Sequence, residues 1–411
     1  MSRSVSDLNG LRMAPAGTPS DTFLAAGAPW FFTMFGRDSL IAARMLLPLG
    51  TELAGSTLRA LAARQGTTTD SSTAEQPGKI LHEVRRATLQ FEEGGNGIAL
   101  PPVYFGTIDA TPLWISLLHD AWKSGLPESE VEALLDALEA ALVWLRDHGD
   151  SDGDGFLEYL DTSGHGLANQ GWKDSGDSIR WHDGSLAEGP IALAEVQGYA
   201  YEAALGGAAL LEAFGRDGAE NWRAYAANLS ERFRASFWCA DDQGAYPAIA
   251  LDAQKRPVDG VASNMGHLLG TGILNEDEEA TVVRRLMDDT MFSGYGIRTV
   301  STTNGGFWPT RYHAGSVWSH DTGIIIHGMM RSGFHTEARA LATGLLDAAE
   351  GFDWRLPELF SGHSSKEVFP PVPYPASCRP QAWAAASAVP IATALGALNQ
   401  SKVVTALHLN A

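Results

Sequence analysis

Stretches with the apolar spacing of amphipathic helices recur along most of the chain, and this periodicity restricts the fold more than any other feature. In 128–146 (ESEVEALLDALEAALVWLR), apolar residues return every three or four positions, which is the pattern of a helix with one buried face. Similar patterns predict helices at 39–49, 112–123, 193–214, 220–237, 276–287, 320–331, 335–349 and 381–398. Weaker patterns at 5–13, 56–63 and 264–269 bring the expected number of helices to roughly twelve.

Strand signals are few, and long loops join the helices. The two short strand candidates lie near 155–160 and 244–250, and the loops at 161–189 and 302–313 are rich in Gly, Pro and Trp. Long ordered loops in a compact domain usually carry function. Many helices with functional loops at their ends favour an all-α toroid, in which an inner ring of helices is wrapped by an outer ring; two packed helical bundles would give the same periodicity. No low-complexity linker occurs, so residues 1–411 are predicted to form a single domain.

The charge balance and the cysteine content exclude several classes of partner. The 29 Lys and Arg residues are outnumbered by 49 Asp and Glu, which gives a formal net charge of −20 spread along the chain. Nucleic acids and anionic membranes need fields of Lys and Arg, so neither is expected to bind. Cys239 and Cys378 lie far apart and indicate reduced thiols. The N-terminus lacks an apolar signal core, and no run of 18 apolar residues occurs, so a cytoplasmic location is predicted.

The loop at 169–182 (NQGWKDSGDSIRWH) holds the first candidate catalytic group. It sets Asp174 and Asp177 beside Trp172 and Trp181. A carboxyl group that lies against an indole and away from water has its charged form disfavoured, so its pKa rises and it can act as a general acid. Asp and Gly between tryptophans are also common turn residues, and a plain turn is the alternative interpretation.

The segment 355–360 (RLPELF) holds the second candidate, Glu358, which is flanked by apolar residues. A carboxyl group in an apolar loop is either buried with a partner or exposed in a cleft. An ion pair between Arg355 and Glu358 and a catalytic carboxylate are therefore both open interpretations of this segment.

Two aromatic-rich segments precede apolar helices and suit carbohydrate binding. In 30–40 (WFFTMFGRDSL), an Arg-Asp pair lies between an aromatic cluster and a helix. Its Asp38 either caps that helix or hydrogen-bonds to sugar hydroxyls. The segment 308–321 (WPTRYHAGSVWSHD) concentrates aromatic residues that can stack on a pyranose. Its His313 and His320 lack a zinc-binding spacing such as HExxH, so no metal is predicted there.

The segment 150–161 (DSDGDGFLEYLD) partly matches a calcium-binding loop. Asp150, Asp152 and Asp154 fall at positions 1, 3 and 5 of such a loop, and a Gly falls at position 6. Position 12 is Asp161 rather than Glu, and the residues that follow do not form the exit helix of an EF-hand. A turn leading into a short strand is the favoured interpretation, with calcium on the three aspartates as the alternative.

Ten segments, in order along the chain, resemble the amylo-α-1,6-glucosidase family, which includes the glucosidase part of bacterial and archaeal glycogen-debranching-like proteins. The segments are 28–42 (APWFFTMFGRDSLIA), 77–85 (PGKILHEVR), 104–114 (YFGTIDATPLW), 152–159 (DGDGFLEY), 169–179 (NQGWKDSGDSI), 191–201 (IALAEVQGYAY), 262–269 (ASNMGHLL), 312–321 (YHAGSVWSHD), 356–362 (LPELFSG) and 373–385 (PYPASCRPQAWAA). They span nearly the whole chain, and their shared order makes the resemblance specific.

The resemblance implies an (α/α)6 toroid and hydrolysis with inversion at the anomeric carbon. The family's general acid falls on Asp174 of Trp172-Lys173-Asp174, and its general base falls on Glu358. Inverting enzymes hold the two carboxyl groups roughly 6.5–9.5 Å apart to admit a water. Lys173 raises an open point, because a cation close to Asp174 would lower the pKa of that acid. Asp177 is the alternative acid.

The same resemblance assigns further residues to a glucose-binding pocket. They are Trp30, Arg37, Asp38, Asp109, Trp172, Glu195, Trp318 and His320. The implied activity is the release of glucose from an oligosaccharide or a small α-glucoside, with α-1,6 linkages as the first expectation and no cofactor. Many members carry an N-terminal β-rich domain. We expect none here because 4–13 resembles the first barrel helix, so large branched glucans are questionable substrates.

Two other groups of activities stay open. The (α/α)6 toroid also supports trehalase-like hydrolases and sugar epimerases, and an epimerase would need histidines as acid and base, for which only His320 is a candidate. A non-catalytic carbohydrate-binding protein would keep the aromatic residues, Arg37 and Asp38 without needing two acids. The presence of both Asp174 and Glu358 favours the hydrolase.

Overall fold

The computed structural model describes residues 1–93 and 96–398, and most regular structure in this part of the chain is helical. Its thirteen α-helices are α1 (Ser2–Gly10), α2 (Gly36–Leu46), α3 (Glu52–Ala62), α4 (Ala110–Lys123), α5 (Glu128–Glu132), α6 (Leu135–Asp147), α7 (Ala194–Ala213), α8 (Ala219–Ser236), α9 (Glu276–Leu286), α10 (Ser319–Arg331), α11 (His335–Glu350), α12 (Ala382–Ala386) and α13 (Ala388–Ala394). Two 3₁₀ helices span Leu47–Leu49 and Ser263–Leu268. The prediction of a mainly helical fold is confirmed.

Short antiparallel strands lie between the helices. Those in the described residues are β1 (Arg12–Met13), β2 (Phe23–Leu24), β3 (Glu83–Val84), β4 (Leu89–Glu93), β5 (Asn96–Leu100), β6 (Val103–Tyr104), β7 (Ala192–Leu193), β8 (Trp238–Asp241), β9 (Gly244–Pro247), β10 (Ala250–Leu251), β11 (Pro257–Val258), β12 (Val317–Trp318) and β13 (Leu359–Phe360). β10 lies between β11 and β7, and the other strands pair as β1–β2, β3–β6, β4–β5, β8–β9 and β12–β13. These ladders connect loops rather than build a core sheet.

Six helical elements contact one another in a closed cycle. α2 packs against α4, α4 against α7, α7 against the 3₁₀ helix Ser263–Leu268, that helix against α10, α10 against α12, and α12 back against α2. Other helices pack against members of this cycle: α3 against α2 and α4, α6 against α4 and α7, α8 against α7, α9 against the 3₁₀ helix, and α11 against α10.

Burial differs between the two sets of helices. α2, a member of the cycle, buries every residue except Arg44. α8, outside the cycle, buries only Trp222, Ala226, Leu229, Ser230 and Phe233. A helix that is buried all round lies within the core, whereas a helix with one buried stripe has its opposite side in solvent. No helix in the described ranges combines the length and the apolarity that crossing a bilayer requires.

The longest predicted helix is interrupted. The segment 128–146 forms α5 and α6, which are separated at Ala133 and Leu134. Both Leu134 and Leu135 are buried. α6 also buries consecutive residues at Ala141–Leu142 and Trp144–Leu145 within a continuous helix, so burial of the two leucines does not by itself explain the break.

The C-terminal helix prediction at 381–398 also divides into two. α12 and α13 lie on either side of Ser387, whose hydroxyl donates a hydrogen bond to the carbonyl of Trp383 at 2.8 Å. A serine that bonds back to the preceding turn bends a helix, and Pro390 in α13 removes one further backbone donor. Residue 399 and those after it lie outside the described residues.

The two strand predictions had different outcomes. The segment 244–250 includes β9, which pairs with β8, and the first residue of β10. Near 155–160 no strand forms within the described chain, and Tyr159 makes only an isolated bridge to Ile191. A single bridge is enough to fix the end of the aspartate-rich turn without extending a ladder.

Candidate active site

One cavity of about 250 Å³ brings together charged and aromatic side chains from both halves of the chain. Its polar wall includes Arg37, Asp38, Glu83, Arg85, Asp174 and Glu358. Its aromatic wall includes Phe31, Phe35, Trp172, Tyr312, Trp318 and Trp383. Aromatic faces stack on the C–H face of a sugar ring while carboxylates and guanidinium groups bind its hydroxyls, so this mixture suits a carbohydrate.

A short ladder fixes Glu358 beside the start of α10. Trp318 of β12 pairs with Leu359 of β13. The next residue, Ser319, donates from its amide to the carbonyl of Glu358 at 3.1 Å. Its hydroxyl donates to the carbonyl of Pro357 at 2.6 Å. The carboxyl group of Glu358 is therefore held on backbone that is anchored on both sides.

The start of α2 approaches the neighbouring chain segment closely. A Cβ atom on Gly36 would lie only 2.2 Å from the carbonyl oxygen of Leu81, so no larger residue fits. The amide of Gly36 donates to the carbonyl of His82 at 2.8 Å. This contact sets Arg37 and Asp38, in the first turn of α2, against the strand that carries Glu83.

Glu358 has the environment of a carboxylate that titrates near neutral pH. Its side chain is buried, and burial raises its pKa to about 7. Oε1 accepts a hydrogen bond from the hydroxyl of Tyr312 at 2.9 Å, and Oε2 accepts one from the amide of Cys378 at 2.9 Å. These donors favour the charged form and limit the rise in pKa, while the nearby charge of Asp174 adds to it.

Asp174 lines the same cavity and is partly open to it, with 32% of its side chain exposed. Its Oδ2 lies 3.6 Å from Nη1 of Arg37. Asp177, the alternative acid, lies outside the wall of this cavity and forms ion pairs with Arg180 and Arg311, each at 3.0 Å. The structure therefore brings Asp174, and not Asp177, into the cavity with Glu358.

Lys173 is turned away from the carboxylate of its neighbour. The side chain is 1% exposed, and Nζ donates to the backbone carbonyl of Thr299 at 2.6 Å. Burial lowers the pKa of Lys173 to about 8, and the charges of Asp321 and Glu195 oppose that shift. The cation that the sequence sets next to Asp174 is thus held by a backbone carbonyl on another loop.

Arg37 is fixed by a buried ion pair. Its Nε donates to Oδ2 of Asp109 at 2.6 Å, and Nη2 donates to the hydroxyl of Thr107 and to the carbonyl of Gln170. Asp38, its neighbour in α2, is also buried, and burial raises the pKa of Asp38 to about 8 even though the charge of Arg37 opposes the shift. Asp38 thus stands in the wall as a carboxyl group whose neutral form is favoured by burial.

Four of the eight predicted pocket residues lie in the cavity wall. Arg37, Asp38, Trp172 and Trp318 line the cavity. Trp30 lies outside its wall, is 59% exposed, and donates from Nε1 to the carbonyl of Ala376. Its contact with sugar stays a prediction.

The remaining predicted pocket residues form a layer behind the wall. Asp109 lies behind Arg37. Glu195 is buried and accepts a hydrogen bond from Asn264 at 2.8 Å. His320 is completely buried, with its ring stacked on that of Trp383 at a centroid distance of 3.6 Å. Their assignment to substrate binding also stays a prediction.

Several wall residues were not among the sequence candidates. Glu83 and Arg85 belong to the segment PGKILHEVR, and Nε of Arg85 donates to Oε2 of Glu83 at 2.7 Å. Glu83 reaches the cavity because its strand pairs with Tyr104 of β6 and bridges to Phe35. The available signal was the charged His-Glu-x-Arg run inside a segment that supports the family resemblance. Tyr312 was likewise unassigned, although its segment was singled out.

The aspartate-rich turn holds a lysine among its carboxylates. One oxygen from each of Asp150, Asp152 and Asp154 lies within 4.8 Å of the others, as in a cation site. Nζ of Lys255 lies 2.9 Å from Asp152 and 2.7 Å from Asp154, and it also contacts Oε2 of Glu158 at 2.6 Å. The ammonium group of Lys255 thus supplies positive charge to two of the three aspartates that the sequence offered as calcium ligands. Calcium binding at this turn stays a prediction.

Comparison with protein families decides the class of this protein. The mannosylglycerate hydrolase MGH1-like glycoside hydrolase domain matches residues 37–353. The chain belongs to this family. The family consists of glycoside hydrolases related to glycogen-debranching enzymes, so the relationship expected from the sequence is confirmed. Among curated proteins, no sequence matches significantly.

Solved structures of glycosidases share the fold over almost the full chain. The glycoside hydrolase family 63 mannosylglycerate hydrolase from Thermus thermophilus in complex with glucose is 16% identical, with a TM-score of 0.69 over 95% of this chain and 98% of that chain. Its complex with Tris is 15% identical, with a TM-score of 0.67 over 95% and 99%. A structure described as a wild-type glycosidase is 14% identical, with a TM-score of 0.64 over 97% and 96%. At these identities the similarity establishes a common fold.

Proposed function

We propose that this glycoside hydrolase releases glucose from a small α-glucoside with inversion, using Asp174 as general acid and Glu358 as general base. The observation that carries the proposal is the meeting of these two carboxyl groups, from distant loops, on one carbohydrate-sized cavity. Glu358 is buried, held by two hydrogen-bond donors and has a pKa of about 7, which suits a base that must be ionised near neutral pH.

The closed cycle of helix contacts supports an (α/α)6 toroid as the architecture of the catalytic unit. In such a toroid the six inner elements surround the site, and their flanking loops supply it. We propose a single domain over 1–411, which agrees with the family match across 37–353. The predicted cytoplasmic location belongs to the same proposal.

The proposed reaction moves two protons. Asp174 transfers its proton to the glycosidic oxygen as the bond to the anomeric carbon breaks. Glu358 takes a proton from a water that attacks the anomeric carbon from the opposite face, so the product is β-glucose. Inverting enzymes place such carboxyl groups roughly 6.5–9.5 Å apart to admit this water. Exchange with solvent then restores the proton on Asp174 and removes the one on Glu358.

The size of the cavity supports a short substrate. At about 250 Å³ it lies just below the usual range of small-molecule pockets, roughly 300–1,000 Å³. A monosaccharide with a short leaving group suits this volume better than a branched glucan. The related mannosylglycerate hydrolases are named for such a compound. An α-1,6-linked disaccharide stays the first expectation among oligosaccharides.

The hydrolase is favoured over the epimerase because of His320. Its ring is stacked on Trp383 and packs edge-on against Trp172 and Trp318. A histidine enclosed by three indoles cannot reach a sugar carbon without a rearrangement of the wall. A trehalase-like activity would use the same two acids and is distinguished only by the substrate.

The test is product analysis by NMR with isomaltose, panose, maltose, trehalose, sucrose and 2-O-α-glucosylglycerol. Early β-glucose from one of them supports inversion and identifies the linkage, whereas early α-glucose contradicts the mechanism. The Asp174→Asn and Glu358→Gln variants should each lose activity by a factor of about 10²–10⁴. Asp177→Asn is the matched control and should keep most of it.

α-Glucosyl fluoride separates the two roles. Fluoride departs without protonation, so Asp174→Asn should recover substantial activity on this substrate. Glu358→Gln should not, because the attacking water still needs a base. If both variants behave alike on the fluoride, the assignment of acid and base is wrong.

A further inference from the structure

We propose that the cavity selects an α-glucoside with a neutral, hydroxyl-bearing leaving group and discriminates against one with a carboxylate. This inference rests on the proposed function and names its substrate class. It departs from what the name of the related mannosylglycerate hydrolases suggests, since glycerate is an anion. Each guanidinium group in the wall already contacts a carboxylate of the protein.

The guanidinium group of Arg37 has its charge matched by protein groups. Nε contacts the buried carboxylate of Asp109 at 2.6 Å, and Nη1 lies 3.6 Å from Asp174. Nη2 donates hydrogen bonds to the hydroxyl of Thr107 and to the backbone carbonyl of Gln170. With 2% of its side chain exposed, Arg37 cannot turn toward an incoming anion without breaking its buried ion pair with Asp109, which is strongly destabilising.

Arg85 is engaged in the same way. Its Nε donates to the buried carboxylate of Glu83 at 2.7 Å, and its guanidinium carbon lies 5.7 Å from the centroid of the Phe35 ring. Among the described residues, Oε1 of Glu83 has no hydrogen-bonding partner. That oxygen is also closed to solvent, so the Glu83–Arg85 pair sets an incompletely hydrogen-bonded carboxylate beside a guanidinium group in the cavity wall.

A carboxylate in the wall favours a neutral ligand group over an anionic one. A hydroxyl group carries no charge and can both donate and accept hydrogen bonds beside this pair, whereas an ionised carboxylate only accepts. The ionised group would meet the carboxylate of Glu83 as a like charge, and like-charge juxtaposition disfavours binding. A polyol leaving group avoids this repulsion.

The remaining charges of the wall add to this preference. Asp38, Asp174 and Glu358 also line the cavity, and His82 is neutral because burial lowers its pKa well below the usual value. The wall thus holds four carboxyl groups, those of Asp38, Glu83, Asp174 and Glu358, against two guanidinium groups that each already contact a carboxylate of the protein. The formal net charge of −20 for the whole chain also lowers the local concentration of anions.

The test uses two substrates that differ in one group. 2-O-α-Glucosylglycerol and 2-O-α-glucosylglycerate share the glucose and the linkage, and a hydroxymethyl group of one is a carboxylate in the other. At pH 8 we expect kcat/KM for glucosylglycerol to exceed that for glucosylglycerate at least tenfold. Equal rates, or a preference for the glycerate, would overturn the proposal.

Two variants locate the preference. Glu83→Gln keeps the size of the side chain and leaves the charge of Arg85 without its carboxylate partner. The ratio of kcat/KM for glucosylglycerol to kcat/KM for glucosylglycerate should then fall below threefold, mainly because the glycerate is hydrolysed faster. Arg85→Met should weaken the neutral substrate without improving the anionic one. An unchanged ratio in Glu83→Gln would overturn the assignment to this pair, and thermal unfolding checks that both variants are folded.

Binding to the Asp174→Asn variant, measured by calorimetry, makes the test independent of turnover. Tighter binding of glucosylglycerol supports the proposal, and equal binding, tighter glycerate binding or binding of neither overturns it. Failure of the proposed function has a different signature, since the wild type would then leave α-glucosyl fluoride unhydrolysed as well.

Discussion

The hydroxyl of Tyr312 donates a 2.9 Å hydrogen bond to Oε1 of Glu358 within the cavity wall. The amide of Cys378 holds the other oxygen at 2.9 Å. A carboxylate whose two oxygens both accept hydrogen bonds has a fixed orientation, and both donors favour its ionised form. These contacts oppose the rise in pKa that burial causes, so the pKa of Glu358 stays at about 7, where the proposed general base would act.

We expect Tyr312→Phe to move the acidic limb of the kcat/KM profile to higher pH. The base must be ionised, so activity rises with pH through the pKa of Glu358, which is about 7. Loss of a hydrogen bond to a charged group, about 1.5–3 kcal/mol, would raise that pKa by roughly one to two units. The pH profile of each variant checks this, with Tyr374→Phe as the control. An unmoved acidic limb would show that the contact does not tune the base.

Asp38→Asn should stabilise the protein at high pH while weakening catalysis. The pKa of Asp38 is about 8 in the folded chain and 3.8 in its ordinary state. Between these values the folded state holds a proton that the unfolded state has released, so stability falls as pH rises from about 4 to 8. Asn stays neutral and removes this dependence.

The gain in unfolding free energy for Asp38→Asn should be on the order of 1–3 kcal/mol at pH 8 and near zero at pH 4. Chemical unfolding at both pH values measures it. The exposed Asp242→Asn serves as control and should show no such difference. A gain that is equal at both pH values would exclude titration of Asp38 as its cause.

Lys255→Met should convert the aspartate-rich turn into a calcium-dependent element. The side chain of Glu158 is fully buried and lies 2.6 Å from the ammonium group, so removal of the cation should destabilise the fold by about 1–3 kcal/mol. Millimolar calcium should restore part of the loss in the variant. The melting temperature with calcium and with a chelator tests this. Arg256→Met, at the neighbouring position, should not respond to calcium.

The preference for a neutral leaving group should weaken as the pH falls through 7. Burial raises the pKa of Glu83 to about 7, with Arg85 opposing the shift and Asp174 adding to it, and Tyr104 lies near on β6. Protonation of Glu83 removes the charge that matches Arg85, while glycerate stays ionised. The ratio of kcat/KM for the two glycerol-type substrates, taken at pH 6 and pH 8, cancels the titration of the shared catalytic groups. A constant ratio would contradict the role of Glu83.

The helices were largely predictable because each buries a face at a regular spacing. Their interruptions were not predictable: the break at Ser387 goes with a hydroxyl-to-carbonyl hydrogen bond, and the apolar periodicity runs through the break at Leu134 without a signal. The strand expected near 155–160 does not form, because a strand needs a partner along its length and only Tyr159 bridges to another residue, Ile191.

Asp174 and Glu358 were candidates from their loops and were assigned as acid and base through the family resemblance. The structure brings both to one cavity, and their catalytic roles stay a prediction. Glu83 and Arg85 were missed because pairing between β3 and β6 decides which way they face. Asp109 was predicted to line the pocket but lies behind Arg37, because local sequence does not distinguish a residue of the cavity wall from one that supports it.

Closure of the helical cycle has a consequence for biosynthesis. α2 ends at Leu46, and its partner α12 begins at Ala382, more than 300 residues later. At elongation rates of about 5–20 residues per second, α12 is synthesised roughly 20–70 s after α2. The apolar side of α2 that packs against α12 is unpaired during this interval. Arg37 and Glu358 line one cavity, so the proposed site cannot assemble before the segment that carries Glu358 has been synthesised. During that interval we expect chaperones to bind the unpaired apolar side of α2.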